Sequence, residues 1–128
     1  MKRTTSRKAG RRQALFLLYQ WDLTGQELAS LFEGAPDDFA YALAESVAAR
    51  AGSLDARVTA ASPDWPADRL GTLERNILRI GVYELQEQTV PREVAINEAV
   101  VLAKRYATEE AARLVNGILG RVAREEAA

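Results

Sequence analysis

Apolar residues recur at three- and four-residue spacing along most of this 128-residue chain, the period of one helical face. In "TLERNILRIGVYELQ" the positions Leu73, Ile77 and Ile80 interleave with Leu78, Val82 and Leu85. That apolar surface is too broad for a helix lying on the outside, so this segment is expected at the centre of a helical bundle. In "PREVAINEAVVLAKRYA" two overlapping rows appear, Ile96, Val100 and Ala103 beside Ala95, Ala99, Leu102 and Tyr106, with Glu93, Glu98, Lys104 and Arg105 on the wet side. Near the C-terminus Ala112, Val115, Leu119 and Val122 keep their period straight across Asn116-Gly117. The dipeptide is a turn signal by itself, but the unbroken periodicity predicts one helix.

Strand signals are scarce, because the β-branched residues are dispersed and no alternating run of five is bounded by turn residues. Breaks fall at "TGQ", "EGAPDD", "AGS", "ASPDWP", "LGT", "QTVP" and "AT", combinations of Gly, Pro, Asp, Ser and Thr that end or cap helices. The expected fold is therefore all-α, a single domain over residues 1–128 with about seven helical segments. The first helix should run from about Lys8 to Asp22, and another should begin after Pro36. Asp37 and Asp38 complement the positive end of that helix's dipole, and Pro66 and Pro91 suit first-turn positions. Gly81 lies inside an apolar face, where close approach of another helix is the expected reason for a glycine.

Charge changes this picture at one end only. The chain carries a net −1 from 17 basic and 18 acidic residues, yet Lys2, Arg3, Arg7, Lys8, Arg11 and Arg12 precede any acid. Beyond Arg12 there remain 11 basic and 18 acidic residues, a body of net −7. A +6 arm on an acidic body points to a polyanionic partner. The longest apolar run, "ALFLLY", has six residues, against the roughly 20 that a membrane span requires, so no membrane association is expected.

Candidate chemistry is narrow. There is no cysteine and no histidine, which removes disulfides, thiolate nucleophiles, the usual zinc ligands and the commonest general base. No phosphate-binding glycine loop, dinucleotide fingerprint or nucleophile-elbow serine occurs. The expectation is a binding protein with no catalytic residues, no metal and no cofactor. On a helix, Arg12 and Tyr19 point within ~20° of each other and Lys8 falls ~40° to one side. Cations with an aromatic ring on one stripe suit single-stranded RNA, the cations tracking phosphates and the ring offering a stacking face. From this segment alone, half-buried core aromatics at Tyr19 and Trp21 with a solubilising basic tail remain an equal alternative.

The motifs "LERNILRIGVYEL", "VP..VAINEA..LAK" and "VNG.L", supported by "RRQALFLLYQWDL" near the start, closely resemble the NusB family of transcription antitermination factors. The likeness covers essentially the whole chain, with residues 24 to 65 weakly matched. It implies a compact bundle of two helical subdomains that binds boxA RNA together with NusE, the small-subunit ribosomal protein S10. Such a factor would act in the cytoplasm during ribosomal RNA transcription and engage other Nus factors and RNA polymerase indirectly. The resemblance maps RNA contacts onto Lys2, Arg3, Arg7, Lys8, Arg11, Arg12 and Tyr19. It also makes Glu74 a NusE contact and places Glu110 near the RNA path. Two other readings are a helical protein-interaction adaptor and a stand-alone relative of the front domain of ribosomal RNA cytosine methyltransferases. The latter would call for a nucleotide-binding domain beyond Ala128. Asn97 and Asn116, inside the strongest motifs, are expected to be structural amides.

Overall fold

A computed structural model describes residues 6–31 and 37–127, all-α among those residues as the periodicity predicts. The helices are α1 (Arg7–Thr24), α2 (Asp38–Ala49), α3 (Ala51–Ala61), α4 (Thr72–Glu87), α5 (Arg92–Tyr106) and α6 (Glu109–Ala127), with short 3-10 turns at Leu28–Leu31 and Ala67–Arg69. The chain divides into two compact units, Met1–Arg50 and Ala51–Ala128.

In the first unit α1 packs on α2. Ser6 caps α1 by accepting from the Ala9 N–H at 3.2 Å. The helix stops at Gly25, whose φ of +72° is the left-handed conformation that releases a chain from a helix, its N–H donating to the Trp21 carbonyl at 2.9 Å. Asp37 caps α2 through the Ala40 N–H at 2.9 Å, the structural role anticipated for that acid. Gly10 permits the two helices to meet, since a Cβ there would run into the Phe39 ring. Leu15, Leu18, Ala40, Ala44 and Val47 are fully buried. The expected break at "AGS" shrinks to a single turn residue, Arg50, after which α3 starts at once.

In the second unit α4 is central, packed against α3, α5 and α6, with Ile77, Leu78 and Val82 fully buried. Gly81 lies under α6: a Cβ there would stand 2.6 Å from Leu119 Cδ1, so the close approach inferred from its position is real. The unit also holds polar ties that the apolar pattern conceals. Arg79, almost fully buried, grips Asp55 of α3 through Nε to Oδ1 at 2.7 Å and Nη2 to Oδ2 at 2.6 Å. Its Nη1 donates to Asn76 Oδ1 at 3.0 Å, and Asn76 Nδ2 donates to the Thr72 carbonyl at 2.8 Å. A two-pronged guanidinium–carboxylate pair of this kind fixes one helix against another with a defined geometry. Arg57 of α3 likewise donates to Glu125 at 2.9 Å and Glu126 at 3.3 Å on α6. The Arg57 hydrogen bond holds the Glu125 carboxyl below the usual carboxylate range, helped by Arg121. As expected, α6 runs unbroken through Asn116 and Gly117.

Candidate nucleic-acid interface

The basic segment is helical from Arg7 onward, so Arg7, Lys8, Arg11 and Arg12 occupy the first two turns of α1 rather than a loose tail. No acid accompanies them in the first turn. The positive end of the helix dipole lies there, and each cation near it costs roughly 0.3–1 kcal/mol that an anion would recover. Local helix energetics therefore give no reason for four cations at this end.

Their surroundings differ. Lys8 is exposed and Arg12 half-buried. The Arg7 guanidinium stacks over the Phe39 ring at 4.6 Å from its centroid while the residue stays exposed, an arrangement that holds the cation in place and leaves its edge open. Arg11 is only 3% exposed. Burial sets this position apart from Arg7, Lys8 and Arg12, because a guanidinium this enclosed meets a phosphate only if what buries it moves. The two arginines differ because neighbours in sequence point ~100° apart on a helix. Lys2 and Arg3 lie outside the described residues.

Tyr19 is 37% exposed, and Phe16 (42%) and Leu23 (57%) are more open still. Arg12, Phe16, Tyr19 and Leu23 follow one another at spacings of four, three and four, which places them on one side of α1. Phe16 is the residue that sequence reasoning missed. Embedded in "ALFLLY" it reads as core, although its spacing from Arg12 and Tyr19 already carried the signal. The open face of α1 thus offers two cations and two aromatic rings, with Arg7 near the helix start.

Glu74 and Glu110, assigned on resemblance to two different roles, line a single groove of about 550 Å³ in the second unit, together with Trp65, Arg69 and Arg113. Glu110 is exposed in the first turn of α6, whose start is capped by Thr108 Oγ1 accepting from the Ala111 N–H at 2.9 Å. Glu74 is half-buried and folds back over the start of α4, with its Oε2 where a Cβ on Gly71 would have to be. Each carboxylate complements a helix dipole, and the groove between them mixes both signs of charge around an indole that is 54% exposed. That composition is closer to a protein interface than to a phosphate track. Trp65 was legible only as part of a helix break. Among the described residues no group of His, Cys, Asp and Glu is arranged to hold a metal ion, and no helix is long and apolar enough to cross a membrane.

The model of the NusB family matches residues 8–124. This chain belongs to the NusB family. It is 41% identical over 121 residues to the transcription antitermination protein NusB of Rubrobacter xylanophilus, covering 89% of this chain and 87% of that one. With NusB of Myxococcus xanthus it shares 37% over 132 residues, covering 92% and 94%. The T. maritima NusB structure superposes with a TM-score of 0.84 at 30% identity, covering 96% of this chain and 94% of that one. A chain of the crystal structure of antitermination factors NusB and NusE in complex with dsRNA superposes at 0.80 and 31% identity, covering 93% and 96%. The fold expected from the resemblance to NusB is the fold observed.

Proposed function

We propose that this NusB-family chain is a transcription antitermination factor that binds single-stranded boxA RNA jointly with NusE, ribosomal protein S10, in the cytoplasm during ribosomal RNA transcription. Other Nus factors and RNA polymerase are engaged through that complex. The chain works by binding and not by turnover. The observation that carries the reading is the open face of α1, where Lys8 and Arg12 stand in line with the exposed rings of Phe16 and Tyr19. Support comes from the likeness to a chain of a NusB–NusE–RNA complex. That complex contains double-stranded RNA, but exposed rings favour unpaired bases, which have free faces to stack on. The mixed-charge groove with Glu74, Glu110 and Trp65 is the proposed seat for the protein partner.

The test is RNA affinity against salt in the presence of purified NusE. Neutralising Arg7, Lys8 and Arg12 together should flatten the log–log salt slope by about 2, at roughly 0.7 per phosphate on a single strand. Glu74→Gln should weaken the NusE complex while leaving RNA contacts on α1 intact. Undiminished boxA affinity and an unchanged slope in the triple variant would overturn the α1 reading.

A further inference from the structure

Arg7 and Phe39 come from different helices, and their contact depends on a glycine. Phe39 stands in the first turn of α2, whose start Asp37 fixes by accepting from the Ala40 N–H at 2.9 Å. The ring reaches across to α1 and takes the space that a Cβ on Gly10 would fill, so that such a Cβ would meet its Cδ2 and, at 3.0 Å, its Cε2. Gly10 is buried and Phe39 half-buried. Arg7 lies three residues before Gly10, on the same side of α1, and its guanidinium carbon stands 4.6 Å from the centroid of that ring.

Packing alone leaves this arrangement half explained. An aliphatic side chain at position 39 would fill the gap over Gly10 as well as an aromatic one, but only an aromatic face attracts a cation. An arginine in the first turn of a helix is also at the end where the dipole disfavours it. Free in solvent, so long a side chain samples many rotamers, and ordering it against a ligand costs affinity. Stacked on Phe39 it is already ordered, while the residue remains exposed. A guanidinium that spends its face on a ring keeps the N–H donors at its edge, the fork that paired phosphate oxygens accept.

We propose that Phe39 is a positioning residue for RNA: without touching the strand, its ring pre-orients the Arg7 guanidinium toward a phosphate, and Gly10 is what lets the ring reach it. The inference rests on the reading of α1 as the RNA-binding face and adds α2 to the machinery. Lysine cannot take over at position 7, since an ammonium offers neither the planar face nor the fork.

The test is a double-mutant cycle on the full chain with NusE present, read by the anisotropy of a fluorescein-labelled single-stranded boxA RNA over a range of salt, with thermal unfolding of each variant alongside. Phe39→Leu keeps an apolar side chain over Gly10. It should weaken binding about two- to tenfold, the range for one long side chain that must be ordered on association. The salt slope should not change, because the same charge still meets the same phosphate. Arg7→Gln should weaken binding and flatten the slope by about 0.7. In the Arg7→Gln background Phe39→Leu should have no further effect, whereas in the Arg12→Gln background its whole effect should remain. Equal weakening in both backgrounds is what a merely structural Phe39 produces, and would overturn the inference. The parent chain supplies a second readout by NMR: the Arg7 Nε–H proton should be shifted upfield by the ring and should keep that shift when RNA binds. No shift in the free chain, or its loss on binding, would show that the ring does not hold the bound guanidinium and would equally overturn the inference. Should Arg7→Gln bind RNA as the parent does with an unaltered slope, the proposed phosphate contact of Arg7 fails and this inference with it. Should Arg7→Gln weaken binding while Phe39→Leu does not, the role of Phe39 alone is refuted.

Discussion

Gly81 and Gly117 both sit in helix interiors, and replacing each by alanine should move stability in opposite directions. At Gly117 the Cβ enters open space, so the substitution gains helix propensity alone, about 1 kcal/mol. At Gly81 the same gain is offset by a collision. The new Cβ would lie 2.6, 3.0 and 3.3 Å from three atoms of Leu119, and Leu119 is fully buried, so the side chain has nowhere to swing. Overpacking of this sort costs about 1–3 kcal/mol, and a sealed neighbour places it near the top. The net is a loss of about 2 kcal/mol, some 3 kcal/mol below the Gly117 variant. Urea unfolding measures both, with the slope confirming that the same surface is exposed in each variant. Because the chain has two compact units, the signal should come from the second alone. Trp21→Phe removes one of the chain's two tryptophans and leaves Trp65 as the reporter. Truncating Leu119 to alanine should relieve the collision, so that Gly81→Ala becomes stabilising in that background. Gly81→Ala at least as stable as the parent would refute the steric account.

Arg11→Ala and Arg12→Ala should separate cleanly: the buried Arg11 lowers the melting temperature, whereas Arg12 reduces the RNA salt slope by about 0.7 and leaves melting nearly unchanged. Phe16→Ala should weaken RNA binding by about 1–3 kcal/mol, as Tyr19→Ala should, with little effect on salt dependence, read by fluorescence anisotropy. Asp55→Ala strands the Arg79 guanidinium and should cost about 3 kcal/mol in urea unfolding, the lower end for a buried pair because Asp55 keeps 28% of its side chain exposed. Arg57→Ala should let the Glu125 carboxyl titrate nearer its ordinary range, followed by NMR of the carboxyl carbon. In the intact chain that depressed value means the stabilisation is complete above the unfolded carboxylate range and fades as pH falls through the folded one.

The helices were legible wherever one face alternates cleanly with the other. The fully buried rows of α4 and α6 appear in the periods of Ile77, Leu78 and Ile80 and of Val115, Leu119 and Val122. What periodicity hides is the exception on a given face. Arg79 interrupts the apolar surface of α4, and its burial is made tolerable by Asp55, 24 positions upstream, a pairing that exists only once α3 and α4 have packed. Phe16 is the converse case, an aromatic in a greasy run that faces outward. Arg11 and Arg12 were indistinguishable by composition, since burial depends on the helix's angular setting against its neighbours and not on residue type. The segment between "TGQ" and "EGAPDD", expected to be helical, reaches only the 3-10 turn Leu28–Leu31 among its described residues.

The loading of α1 with cations at its own positive end means that a polyanion docked there, as proposed, would be a structural component of the first unit as well as its cargo. Whatever neutralises Arg7, Lys8 and Arg12 removes repulsion from the dipole and must, by linkage, raise the unfolding free energy of the helix that carries them. A ligand at a hundred times its dissociation constant adds about 2.7 kcal/mol. The opening turns of α1 should therefore show slower amide exchange when RNA is present and faster exchange as salt strips it away, so that the order of this helix reports on the occupancy of its face.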